Sequence, residues 1–168
     1  MLVRKLLPGD KMKKEWKTYA LWIAIAEAVG ALAGFLTREG TRLYADAVVK
    51  PPLSPPAIVF PIAWAVLYAL MGIGAARVSL MPGSAARTRG LRLFWLQLAF
   101  NFVWSILFFN LEAFGFAFVW LLILWALILM MTFTFDQTDR PAALLQIPYL
   151  LWVAFAGYLN FGVWLLNR

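Results

Sequence analysis

Residues Ala57 to Ala76 run for twenty positions without a charge, a stretch as long as a bilayer is thick. They start directly behind Lys50-Pro51-Pro52-Leu53-Ser54-Pro55-Pro56, which holds four prolines in seven residues. Proline removes a backbone donor, keeps the chain extended and is pre-set for the first turn of a helix. The junction at Pro55 and Pro56 therefore marks where a stiff polar lid ends and a buried helix begins. Composition agrees: of 168 residues, 64% are hydrophobic and only 14% charged, too apolar for a water-soluble domain of this size and ordinary for a polytopic membrane protein.

Further apolar runs place spans at about 18–37, 57–76, 93–111, 113–135 and 141–166. The expected fold is all-α, a single domain made of a bundle of five transmembrane helices, with a lid loop over 38–56. Pro61, early in the second span, is a candidate bend. Glu112 alone separates the third run from the fourth, which predicts a tight helical hairpin. Residues 1–17 form a basic leader with six Lys or Arg and two acids. Because a full-length span follows instead of a cleavage site, the leader is expected to be retained. That leader, the Arg77 to Arg92 loop and the Asp136 to Arg140 turn share one side of a five-span chain and hold eleven of its fifteen basic residues. The amino end is expected to be cytoplasmic and the proline lid external. The absence of an arginine-rich, acid-poor presequence points to a prokaryotic plasma membrane.

Cysteine and histidine are both absent, which removes disulfides, zinc sites, thiol nucleophiles, imidazole bases and His-ligated haem together. Neither a metal nor an obligatory cofactor is expected. The net charge of +7 follows from membrane-orientation signals, so nucleic acid is not a predicted partner; the lipid bilayer is.

Polar residues inside the spans carry the functional argument, because hydrocarbon satisfies neither amides nor carboxyls and such groups turn toward the bundle interior. On the third helix Gln97, Asn101, Trp104, Ser105 and Phe108 recur at spacings of three and four, and on the fifth Tyr149, Trp152, Ala156 and Asn160 do the same. Two readings stand: interhelical glue, or a pocket for a flat hydrophobic ligand. Alternation of the polar positions with large rings favours the pocket. Trp16, Trp22 and Trp164, near span ends, read as interfacial anchors. Glu27, in the middle of the first span, is expected to be protonated or paired through an interior hydrogen bond; no second buried acid or base continues a proton relay. Ala26, Gly30 and Gly34, spaced by four, permit close helix contact, inside the bundle or between subunits.

Three blocks resemble the tryptophan-rich sensory protein and translocator protein family, also called TspO/MBR or peripheral-type benzodiazepine receptor. They are Lys50 to Pro56 through Phe60-Pro61 to Trp64 and Leu67-Tyr68; Gln97 to Ser105 with Phe108-Phe109; and Pro148 to Trp152 through Ala156 to Leu159-Asn160. Thr37-Arg38-Glu39-Gly40 ahead of Tyr44 looks like the family's first loop. The resemblance implies a five-helix bundle, commonly a homodimer, with a pocket beneath the lid for porphyrins, sterols and benzodiazepine-site ligands. It implies Asn101, Trp104, Ser105, Trp152, Ala156 and Leu159 as pocket lining, with Tyr44, Leu53 and Pro55 beneath or within the cover.

Two departures matter. Many family members carry Trp at the position of Leu53, and light-dependent porphyrin breakdown is attributed to that indole together with the one at Trp152; only half the pair remains here. The sterol pattern around Tyr158 fails because the next basic residue is Arg168. The expected function is a membrane-embedded binding protein for porphyrin (protoporphyrin or haem) and similar hydrophobic small molecules, acting as sensor, regulator or carrier. The alternative is a porphyrin-degrading membrane enzyme. A transporter would need paired broken helices in matching halves, which the sequence does not suggest.

Overall fold

A computed structural model describes residues 8–168, with side chains from residue 15 onward. Residues 1–7 of the expected leader lie outside the described residues. The rest of that leader is not separate from the first span: α1 runs unbroken from Pro8 to Leu36. Proline suits the first turn of a helix, and the Lys- and Glu-rich residues behind it are good helix formers.

The remaining helices are α2 (Arg38–Ala47), α3 (Val59–Leu80), α4 (Ala85–Ser105), α5 (Phe114–Asp136), α6 (Arg140–Leu144) and α7 (Ile147–Leu166). Among the described residues there is no strand, and five helical stretches are long and apolar enough to cross a membrane. The chain is an all-α, five-span membrane protein. Around the bundle α1 packs on α3, α3 on α6 and α7, α7 on α5, and α5 on α4, which returns to α1.

Three local readings change. The expected lid loop over 38–56 begins with a helix, α2, which only Thr37 separates from α1. This short helix is amphipathic: Gly40 is buried and Tyr44, one turn later, is half-buried, while the charged residues face outward. Pro61 does not bend α3; it lies in the first turn, where the missing donor costs nothing. The fifth run is two helices broken at Leu145-Gln146, because Pro148 cannot supply the N–H that would continue the ladder to Leu144. Glu112, at φ 48, makes the tight turn between α4 and α5.

Small residues set the closest helix contacts. A Cβ on Gly72 would stand 2.5 Å from the Cα of Ile23, so α1 and α3 touch backbone to backbone there. At Gly30 the ring of Tyr68 occupies the space a Cβ would need, at 2.2 Å. Gly34 meets nothing within 4 Å. Of the expected small-residue stripe, Ala26 and Gly30 serve internal packing and Gly34 faces open space.

Indole groups tie other helices together. Trp120 stacks on Phe100 at 4.3 Å and donates to its carbonyl at 2.8 Å, joining α5 to α4, while Trp125 donates to Leu150 O at 3.2 Å and joins α5 to α7. Trp22 lies edge-on to Phe94 and tilted against Trp95, so it fastens α1 to α4 as well as standing near a span end. At the far end from α2, the Arg77 guanidinium donates to both carboxylate oxygens of the buried Asp139.

Gly72→Ala is expected to lower stability in detergent micelles by about 1–3 kcal/mol, since the added methyl meets backbone that cannot give way. Gly83→Ala, which has open space around it, serves as the control in thermal unfolding followed by Trp fluorescence. Equal melting of the two variants would contradict the close crossing.

Candidate ligand cavity

Four buried polar side chains form one hydrogen-bonded chain across the bundle. Tyr68 Oη of α3 donates to Asn101 Oδ1 of α4 at 3.1 Å; Asn101 Nδ2 donates to Tyr149 Oη of α7 at 2.7 Å; and Tyr149 Oη donates to Gln97 Oε1 at 2.8 Å. Gln97 Nε2 faces Met71 Sδ at 3.8 Å. One turn along, Trp104 Nε1 donates to Asn160 Oδ1 at 3.1 Å, and Asn160 Nδ2 donates to Phe114 O at 2.8 Å. All these side chains are buried, so each bond satisfies groups that hydrocarbon cannot.

The polar chain forms a floor. Above it, α4 and α7 are held apart by long side chains, and a cavity of about 650 Å³ opens between α1, α3, α4 and α7 with α2 and the proline segment across its top. From α4 the wall takes Asn101, Trp104, Ser105 and Phe108; from α7 it takes Trp152, Ala156, Leu159 and Asn160. Gln97 and Tyr149, also expected on the inward faces, belong to the floor and not to the wall. The amide faces are therefore glue and pocket at once.

The end of α4 is re-aimed to serve this wall. Ile106–Asn110 widens into a π-helical turn, a form frequent at functional sites. It brings Phe108 and Phe109 against Tyr44 of α2, with centroids 5.4 and 5.6 Å apart. Gly40 sits directly on this turn, where a Cβ would lie 2.2 Å from Phe109 O, and Asn110 Nδ2 donates to Leu36 O at 3.0 Å. Burial pushes the Tyr44 hydroxyl above its ordinary titration range.

Across the top, the proline segment is sewn to α7. Asn167 donates to Val49 O at 2.9 Å and accepts from Val49 N at 3.0 Å, and Tyr158 Oη donates to Pro52 O at 2.8 Å. Pro51 packs on Gly162, where a Cβ would stand 2.6 Å from it. Pro55 reaches the cavity wall.

Of the nine expected site residues, Tyr44, Pro55, Asn101, Trp104, Ser105, Trp152, Ala156 and Leu159 meet at the cavity, and Leu53 does not. Leu53 is a correction: it occupies the left-handed turn position at φ 65 behind two prolines, which swings its side chain outward to 80% exposure. Glu27, expected to be protonated or paired, reaches the wall and shows no hydrogen bond or ion pair among the described residues.

Sequence reasoning assigned α3 and α1 no part in the pocket. Phe60, Trp64 and Tyr68 line it from α3, and Gly30, Ala31 and Gly34 from α1. The spacing of Phe60, Trp64 and Tyr68 by four was legible and matches the α4 and α7 faces. Ala31, Gly34, Pro61 and Ala65 line the cavity yet are exposed on the bundle exterior, so it is open sideways between α1 and α3. In a bilayer that mouth faces lipid.

A multi-span helical bundle enclosing a ring-walled apolar cavity beneath a rigid cover defines the class: a membrane protein built around a lipophilic cavity. Residues 22–165 match the sequence model of the TspO/MBR family. The chain is 36% identical over 157 residues to the tryptophan-rich protein TspO of Chlorobaculum tepidum, covering 93% of this chain and 99% of that one. It is 38% identical over 145 residues to the translocator protein of Bos taurus, covering 82% and 85%, and 35% identical over 150 residues to protein CrtK of Rhodobacter capsulatus, covering 89% and 92%. The chain belongs to the TspO/MBR family of membrane proteins.

Tyr149→Phe removes a hydroxyl that both accepts and donates. At roughly 0.6 kcal/mol per interhelical bond, it should lower bundle stability by about 1 kcal/mol in an SDS-driven unfolding titration. No change would mean that the floor contributes nothing to holding α4 and α7.

Proposed function

We propose that this chain is a membrane-embedded binding protein for porphyrins and similar flat hydrophobic molecules, acting as a sensor, regulator or carrier. The observation that carries the reading is the ring-walled cavity of about 650 Å³ between α4 and α7, within the roughly 300–1,000 Å³ range of small-molecule sites. Trp104 and Phe108, stacked at 5.3 Å, line one side; Trp152, edge-on to Phe60 at 6.1 Å, lines the other. Such rings suit planar aromatic guests. Trp104 uses its indole N–H on Asn160, whereas that of Trp152 has no partner among the described residues and is left for a guest.

In this reading a guest enters from lipid through the mouth between α1 and α3 and comes to rest beneath the cover and Tyr44. The printed names of relatives, tryptophan-rich sensory protein in Cereibacter sphaeroides and translocator protein in Homo sapiens, support signalling or carriage as the role of occupancy. Binding is favoured over porphyrin breakdown because Leu53 stands where an indole pair would need its second member, and it points away from the cavity. The basic-residue asymmetry supports a cytoplasmic amino end, and the bacterial relatives support a prokaryotic plasma membrane. A homodimer is part of the proposal on family resemblance alone.

The test is titration of the purified protein with protoporphyrin, read by quenching of Trp fluorescence. Trp152→Phe and Asn101→Leu should each weaken binding by about tenfold, while Leu53→Ala should leave it unchanged. Unaltered affinity in the first two variants would remove the assigned site.

A further inference from the structure

Glu27 lies near the middle of the span Glu15–Leu36 and reaches the cavity wall. An ionised carboxylate at that depth costs roughly 2.5 kcal/mol or more unless something pairs with it. Nothing described does so. Glu27 has no hydrogen bond and no ion pair among the described residues, and the nearest phenol in the wall, Tyr68, whose ring rests on Gly30 one turn along α1, sends its hydroxyl to Asn101 instead.

Lys50, the other charged residue of the wall, is already engaged. Its ammonium donates to Ala45 O at 2.5 Å and lies 5.4 Å from the centre of the Tyr44 ring. The wall amides of Asn101 and Asn160 bond within the bundle. Among the described residues of the wall Glu27 is the one acid, and it lacks any such contact; aromatic rings share the wall with it, Trp64 and Tyr68 packing together at 5.6 Å. A carboxylate beside aromatic faces is the chemistry that recognises an organic cation.

We propose that Glu27 is a specificity-determining residue that selects, among flat apolar guests, those carrying a basic amine. The guest's ring system stacks on the indoles while its ammonium meets the Glu27 carboxylate at the mouth between α1 and α3. Lipophilic amines partition into bilayers and arrive by that route. This inference rests on the cavity being a ligand site, as proposed above.

The test uses 1-pyrenemethylamine and 1-ethylpyrene, fluorescent probes that differ by an amino group in place of a methyl. Binding to purified protein in a zwitterionic detergent is read by Trp-to-pyrene energy transfer, with empty micelles as background. The wild type should prefer the amine, and Glu27→Gln and Glu27→Leu should each reduce amine affinity by about tenfold or more. Binding of 1-ethylpyrene by the same variants should change by less than about threefold, which also shows that they are folded. Equal affinity of wild type for both probes, or parallel losses for both in the variants, would overturn the role of Glu27 and leave the cavity intact. Failure of both probes to bind the wild type would overturn the cavity reading and this proposal with it.

Discussion

Water is absent from the hydrocarbon core, so every amide and hydroxyl on a membrane helix must find its partner within the protein. At the centre of this bundle that constraint is met by one run of bonds from Tyr68 through Asn101 and Tyr149 to Gln97, reaching from α3 across α4 to α7. The partners are long side chains, and long side chains keep helix axes apart. Where they fill the gap they make a floor; one turn higher, where Ser105 and Ala156 are shorter, the gap remains open. The cavity is thus a consequence of how the polar groups are satisfied.

Other features hold that gap in place. Gly72 lets α1 and α3 meet backbone to backbone, and Gly30 accepts the Tyr68 ring, which aims its hydroxyl at Asn101. The π-helical turn at Ile106–Asn110 rotates Phe108 and Phe109 under Tyr44, and Gly40 allows α2 to rest on that turn. The proline segment cannot supply hydrogen bonds from its imide nitrogens, so its carbonyls and the Val49 amide are tied to Asn167 and Tyr158 of α7. A cover fixed in this way closes the top and leaves the lipid-facing side as the way in.

Much of this was legible in the sequence because two periodicities coincide. Apolar length gave the five spans, and the three-to-four spacing of Asn101, Trp104, Ser105 and Phe108 put them on one inward face. What escaped depended on backbone detail that spacing does not carry. The helix in residues 38–47 is short and polar, so it left no apolar run to read. Leu53 looked like a lid residue from its position in the motif, but two preceding prolines and a left-handed turn point it outward. Glu27 looked like a group that is either protonated or paired; spacing could not show that Tyr68, in the same wall, is committed to Asn101 instead. The share of α3 in the wall could have been found from Phe60, Trp64 and Tyr68, whose spacing repeats the rule applied to α4 and α7.

The central claim is that the space between Trp104 and Trp152 admits a planar guest. The most direct measurement is an anomalous-diffraction map from crystals grown with a brominated planar aromatic compound. The account predicts a bromine peak inside the bundle, between the Trp104 and Trp152 rings and above the Asn101 side chain. A peak confined to the lipid-facing surface, with the space between those indoles closed by side chains, would contradict it.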